Sequence, residues 1–296
     1  MKLKCVLGLS AALSLLASCD NFEYHPYVAN IDGPTDINAR NIEKIQTSVT
    51  RLPLCFAFVT DTQGAYDELR EAIDQIKKRG DVDFVVHGGD MTDFGLPKEF
   101  MWCRDAMNGL SVPWFAVIGN HDCLGNGEST FKYIFGQKNY SFTVAGVHFL
   151  CLNTNALEYD YSEPVPDLDF MERDAAEVAA MNAAAPGSVT HTVAVMHSRP
   201  YDEQFNNNVA KAFLYYLHAF PGMGDDDECV ADASAPDYKL GTKARGFCVN
   251  GHNHSTTVLD INDEGLLFYQ CANMGKRAYL LVTITEEGYD VEECVF

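Results

Sequence analysis

Five short clusters of oxygen and nitrogen donors punctuate the chain: Asp61-Thr62-Gln63, Gly88-Gly89-Asp90-Met91-Thr92-Asp93, Gly119-Asn120-His121-Asp122, His197 alone, and Gly251-His252-Asn253-His254. Imidazole nitrogen and carboxylate oxygen are donors that divalent cations take. Two cations held close together need several such groups, one of them able to bridge. Asp90 suits the bridge, because a carboxylate can give one oxygen to each metal or share one between both, which an imidazole cannot do. Taken singly, each cluster has an ordinary reading: a strand-end aspartate caps a turn and a lone histidine is structural. The set, and its order, is what points to metal chemistry.

The elements that must position these clusters are legible as pattern. Residues 54–60, 82–86, 114–118, 193–196 and 247–250 are apolar runs that read as buried strands, and a cluster follows each one. Residues 66–78 and 98–107 carry helical periodicity between the first three strands. Strand, helix, strand, helix, strand is the βαβ rhythm, in which sites collect at the C-terminal ends of the strands. Residues 140–144 and 147–153 alternate as a hairpin around Ala145-Gly146. An alanine-rich helix to about residue 185, a helix over 210–220, an irregular insertion over 221–246 and strands over 266–271, 278–284 and 289–295 complete the reading.

In this order and context the clusters resemble the signature of the calcineurin-like metallophosphoesterase superfamily: D-x-H, G-D-x-x-D, G-N-H-[DE], a lone H, and G-H-x-H. The resemblance runs from about residue 52 to the C-terminus and departs once, at Gln63, where the family has histidine. It implies a two-sheet α/β sandwich flanked by helices. It also implies two divalent cations (Mn, Fe, Zn or Mg), the first held by Asp61, Gln63, Asp90 and His254 and the second by Asp90, Asn120, His197 and His252. The implied chemistry is phosphoester hydrolysis by metal-bound hydroxide. In it His121 stabilises or protonates the leaving oxygen, Asp122 orients His121, and Asp93 supports the metals or Asn120. A glutamine amide oxygen is a neutral donor, weaker than imidazole towards zinc or iron. The first site therefore holds a harder ion through Gln63, is completed by water or Asp93, or is weakly occupied. Arg199, Asn153 and Asn155 are candidate substrate contacts, with Asn206-Asn207-Asn208, Tyr159, Tyr161 and the insertion as a wall over the metals. His87, His148 and His191 read as structural.

Lys2 and Lys4, an apolar run over residues 5–17 and then Leu16-Ala17-Ser18-Cys19 have the form of an export signal ending in a lipobox. The expectation is a signal peptide over residues 1–18, acylation at Cys19, a tether with some local structure over 19–51 and one catalytic domain over 52–296, placing the protein on a bacterial membrane by lipid alone. A formal charge of -21 argues against non-specific nucleic-acid binding, which needs Lys/Arg patches. Of the ten cysteines, Cys55, Cys151, Cys248 and Cys271 lie in apolar strand patterns and read as buried thiols, while Cys229 on the insertion is the favoured disulfide partner. The expected partner is a small phosphate ester. The alternatives are a pyrophosphohydrolase acting on nucleotide or lipid-linked diphosphates, and a surface binding lipoprotein without turnover.

Overall fold

The computed structural model describes residues 30–156, 163–223, 245–261 and 265–296. The elements in chain order are α1 (Ile37–Ser48), β1 (Leu54–Val59), α2 (Tyr66–Arg79), β2 (Phe84–His87), α3 (Pro97–Met107), β3 (Trp114–Ala116), α4 (Gly127–Ile134), β4 (Tyr140–Val144), β5 (Val147–Leu152), α5 (Leu168–Ala184), β6 (His191–Met196), α6 (Ala210–Leu217), β7 (Gly246–Asn250), β8 (Thr257–Asp260), β9 (Leu267–Gln270), β10 (Ala278–Thr285) and β11 (Gly288–Val295).

Two sheets form. The first has the order β11-β10-β1-β2-β3, the second β4-β5-β6-β7-β9-β8. Strands β1, β2 and β3 are parallel, as are β5, β6, β7 and β9, while β10, β11, β4 and β8 pair antiparallel. The parallel strands are buried on both faces, which is why they read as unbroken apolar runs. Phe56, Phe84, Phe115 and Phe149 fill the space between the sheets, with Phe56 and Phe84 stacked at 5.4 Å and Phe149 edge-on to both. Leu69, Ile73, Phe100, Met107 and Phe131 of α2, α3 and α4 cover the outer face of the first sheet. Met171, Val178, Phe213 and Leu217 of α5 and α6 cover the second. The result is the two-sheet α/β sandwich with helices outside.

One expectation is corrected at the N-terminal side. The segment read as tether contains α1, whose Ile45 is fully buried and whose Ile37, Asn38 and Asn41 face inward. The Asn38 amide donates to the Ala116 carbonyl at 2.9 Å while its oxygen accepts from the Ala116 N–H at 2.9 Å, and Asn41 donates to the Trp114 carbonyl at 2.7 Å. Two asparagines thus satisfy the open edge of β3, which would otherwise present unpaired backbone groups. Polar residues on the inward face broke the apolar period, so the sequence hid this helix. The signal peptide, Cys19 and the start of the tether lie outside the described residues, as do Tyr159, Tyr161 and Cys229. The insertion is shorter than expected at its end, because β7 starts at Gly246. Among the described residues Cys55, Cys103, Cys123, Cys151, Cys248, Cys271 and Cys294 are free, and no helix is long and apolar enough to cross a membrane.

Candidate metal centre

The C-terminal ends of β1, β2, β3, β6 and β7 converge on one edge of the sandwich, and each contributes one cluster. Four of the converging residues hold left-handed backbone: Asp61 (φ 51), Asp90 (φ 54), His252 (φ 74) and His254 (φ 55). Such conformations cost about 1–3 kcal/mol each in a non-glycine residue and persist only when the surroundings fix them. Here the loops lock one another. Asp61 donates its N–H to Gly89 O at 3.0 Å, Thr62 to Asp90 O at 2.9 Å, Gly251 to His197 O at 3.1 Å, and Met274 to Asp61 O at 3.1 Å. Gly119 and Gly251 allow the close approach. A Cβ on Gly119 would run into Asp90, and one on Gly251 into Thr60 and Asp61.

Asp61, Asp90 and His197 bring ligand atoms within 4.8 Å of one another, all buried. His197 Nε2 lies 3.3 Å from Asp90 Oδ2, 3.1 Å from Asn120 Oδ1 and 4.0 Å from Asp61 Oδ1. His252 Nδ1 lies 3.0 Å from the same Asn120 oxygen, and His254 Nε2 lies 3.3 Å from Asp61 Oδ1. Asp90 Oδ1 accepts the His121 N–H at 2.9 Å, leaving Oδ2 to face both His197 and the Gln63 amide nitrogen at 3.3 Å. The Gln63 carbonyl oxygen is buried with no hydrogen-bond partner. These observations fit a cation. Two donors bound at about 2.1 Å to one ion and roughly a right angle apart would sit about 3 Å from each other, and an orphaned buried oxygen is a donor waiting for a partner.

The electrostatics agree. Burial pulls His197 down, but the charges of Asp90 and Asp61 and the hydrogen bonds to Asp90 and Gly88 outweigh it and raise its pKa from 6.5 to about 10. Burial works against the charge of Asp90, yet His197 and His121 hold its carboxyl below the usual range. The pocket therefore concentrates negative charge on whatever cation it contains, a proton included. His197 Nδ1 donates to the Gly88 carbonyl at 2.9 Å, which orients Nε2 into the cluster.

His121 sits beside this cluster, half-buried, with Nδ1 donating to the Asp93 carbonyl at 2.9 Å. Its orienting group is thus the backbone of Asp93. The expected role of Asp122 is corrected. Its Oδ1 accepts from the N–H groups of Met91 and Thr92 at 2.9 and 3.0 Å and from the Thr92 hydroxyl at 3.0 Å, and Oδ2 accepts from Gly119 N–H at 3.0 Å. Asp122 is a fully buried brace between the Asp90 and Asn120 loops. Burial and the charge of Asp90 push it up to about 7 against those donors. On the turn His121–Cys123 successive side chains diverge, so adjacency in the motif misled.

His87 is structural, as read. Its Nδ1 accepts from Gly89 N–H at 3.2 Å, and Nε2 meets the Thr62 hydroxyl at 3.0 Å beneath the metal loops. His148 pairs with Asp174 at 2.8 Å, away from the five clusters. Of the candidate substrate contacts, Asn153 and Asn155 are buried. The Asn155 amide donates to Asn153 at 2.9 Å and to the Ile118 carbonyl at 2.9 Å, tying the end of β5 to the segment after β3. Arg199 donates to the Pro200 carbonyl at 3.1 Å, and its Nε is buried without a partner. The residue that sequence reasoning missed is Asp202, whose Oδ1 lies 3.4 Å from His252 Nε2. It belongs to no motif, and only its place five residues after His197 could have suggested it.

The profile of the calcineurin-like phosphoesterase family matches residues 55–222. Over 89 residues the chain is 26% identical to a probable cyclic nucleotide phosphodiesterase of Xenorhabdus bovienii, which is 28% of this chain and 36% of that protein. Over 65 residues it is 38% identical to the DNA double-strand break repair protein Mre11 of Thermoplasma acidophilum, 20% of this chain and 17% of that protein. The chain thus spans about a third or less of the curated relatives it matches. A solved structure of purple acid phosphatase PPD1 from yellow lupin is similar with a TM-score of 0.49 at 13% identity, over 82% of this chain and 52% of that one.

Proposed function

Because the chain belongs to the calcineurin-like phosphoesterase family, we propose that it is a metal-dependent phosphoester hydrolase whose clustered ligands hold two divalent cations. The observation that carries this reading is the buried group of Asp61, Asp90 and His197, joined by Asn120, His252 and His254, with His121 beside it. Asp61, Gln63, Asp90 and His254 would hold one cation, and Asp90, Asn120, His197 and His252 the other. Cations bound there supply a water acidic enough to ionise near neutral pH and positive charge against the phosphoryl oxygens.

The chain's own residues do the rest. Asp90 fixes one oxygen on the His121 amide, while the other faces His197 and accepts from the Gln63 amide N–H. His121 keeps its Nδ1 proton on the Asp93 carbonyl, so Nε2 is the atom that exchanges a proton with the leaving oxygen. The orphaned Gln63 oxygen favours a hard ion such as manganese or magnesium at its site. With a net charge of -21, attraction for the ester comes from the centre and not from the surface around it.

We also propose export and acylation at Cys19, supported by the Lys2/Lys4, apolar and Leu-Ala-Ser-Cys pattern. Cys19→Ser should move the protein from the membrane to the soluble fraction. Equal membrane recovery of both forms would contradict the anchor.

Turnover of bis-p-nitrophenyl phosphate and p-nitrophenyl phosphate with added manganese tests the activity. His121→Ala should slow it by about 10²–10⁴-fold, the usual worth of a general acid, with bound manganese unchanged. Equal rates in the two proteins would remove His121 from the mechanism.

A further inference from the structure

We infer that Asp202 is a positioning residue that fixes the tautomer of His252, and through it the ligand atom that His252 presents. The inference deepens the hydrolase reading, since it takes His252 as a metal ligand. Imidazole has two nitrogens, and the group bonded to one decides which carries the proton and which is left to bind. Asp202 Oδ1 stands 3.4 Å from His252 Nε2, while Nδ1 on the other side stands 3.0 Å from Asn120 Oδ1, inside the ligand cluster. Both oxygens facing the ring only accept, the Asn120 amide oxygen beside Nδ1 and the Asp202 carboxylate beside Nε2, but the carboxylate is charged and so the stronger acceptor; it keeps the proton on Nε2 and leaves Nδ1 as the lone-pair atom facing the ligand cluster.

The surroundings are built to hold Asp202 in that place. It is 6% exposed. Its Oδ2 accepts from the Asn253 amide, and its Oδ1 accepts from Glu203 N–H at 2.7 Å. The supporting turn is tied to itself: Asp202 N–H donates to Arg199 O at 3.2 Å, the Asn207 amide to Asp202 O at 2.8 Å, and Tyr201 N–H to the Asn207 oxygen at 2.8 Å. Tyr201 takes a left-handed φ of 66 to make the turn. From the other direction Asn253 also donates to Gln270 Oε1 at 3.0 Å, and Gln270 donates to the Ser255 carbonyl at 2.8 Å. Asn253, between the two histidines of its motif, thus joins the histidine loop to both Asp202 and β9. Asp202 and Gln270 are buried while Asn253, Tyr201 and Asn207 reach the surface, and a buried polar centre whose members are satisfied fixes geometry.

The test uses the purified full-length chain with ¹⁵N-labelled histidine, metal-free and at alkaline pH, with the His252 signals assigned by their loss in His252→Gln. In the wild type His252 should show a protonated Nε2 and a bare Nδ1. In Asp202→Ala it should shift to a mixture or to the Nδ1–H form, and manganese affinity should fall about 10–100-fold, the usual effect of losing such a partner. Asp202→Asn, close to isosteric, guards against a folding defect: it keeps an oxygen for the Nε2 proton, should retain the tautomer, and should lose less affinity. The tautomer decides. An unchanged Nε2–H form in Asp202→Ala overturns the inference, whatever the affinity. If the wild type binds no manganese, the hydrolase reading fails on that result, while the tautomer still judges Asp202.

Discussion

At the scale of residues, the candidate ligands were legible because metal chemistry restricts the choice of side chain, and the groups that brace them were not. Asp61, Asp90, Asn120, His197, His252 and His254 stand together as their types and order implied. Asp122 was placed beside the wrong partner, since its position in sequence says nothing about which way a short turn aims it. Asp202 and the Asp93 carbonyl do their work through contacts that no spacing encodes. His87 supports a prediction at this scale. Burial lowers its pKa from 6.5 to about 4, so as pH falls the unfolded chain takes the proton first. Its contribution is complete above about pH 6.5 and is lost on going down to about pH 4, to the extent of about 3 kcal/mol. His197, raised to about 10, is protonated in both states below about 6.5 and so does not mask the effect. Asp122, pushed up to about 7, takes up a proton in the folded protein over the same range and works the other way in both proteins, so the difference is the test: in urea unfolding of metal-free protein, the stability of the wild type relative to His87→Gln should fall between about pH 7 and 5. Parallel losses in the two proteins would mean that His87 is not held neutral.

At the scale of elements, the strands were read to within a few residues because those flanking the site are buried on both faces and show as apolar runs. Elements that break this rule were missed. The helix Gly127–Ile134 places Gly127 and Thr130 beside Phe131 and Ile134 on its inward face, too few apolar residues to show a period, and Thr257–Asp260 is an exposed edge strand with no apolar run. The helix Ile37–Ser48 escaped because asparagines occupy half of its inward face. Since it closes the edge of β3, whose end carries Asn120, its loss should be felt at the site. Ile45→Ala should destabilise the chain by about 2–5 kcal/mol, the range for a buried aliphatic side chain cut to alanine, as measured by the urea midpoint. A change below about 0.5 kcal/mol, typical of surface positions, would show that the helix is a tether after all.

At the scale of the molecule, the architecture fits the proposed activity to a chain with 42 acidic and 21 basic residues. The sandwich gathers five strand ends at one edge and buries carboxylates there, so that cations are drawn in first and the substrate's charge is met by them. Two sheets with flanking helices were implied by the family resemblance and by the order of strands and helices. The pairing of β10 between β1 and β11 was not, because long-range antiparallel register leaves no mark in local sequence. This edge is proposed to be a metal-dependent hydrolytic centre with Asp90 at its middle. The most direct measurement is a manganese titration of chelator-treated protein in which bound metal and turnover of bis-p-nitrophenyl phosphate are followed together, with Asp90→Asn alongside. Turnover should rise with metal occupancy towards two ions per chain, and Asp90→Asn should remain folded, bind less metal and not turn over. Activity that ignores the metal, or an Asp90→Asn variant with wild-type rate, would contradict it.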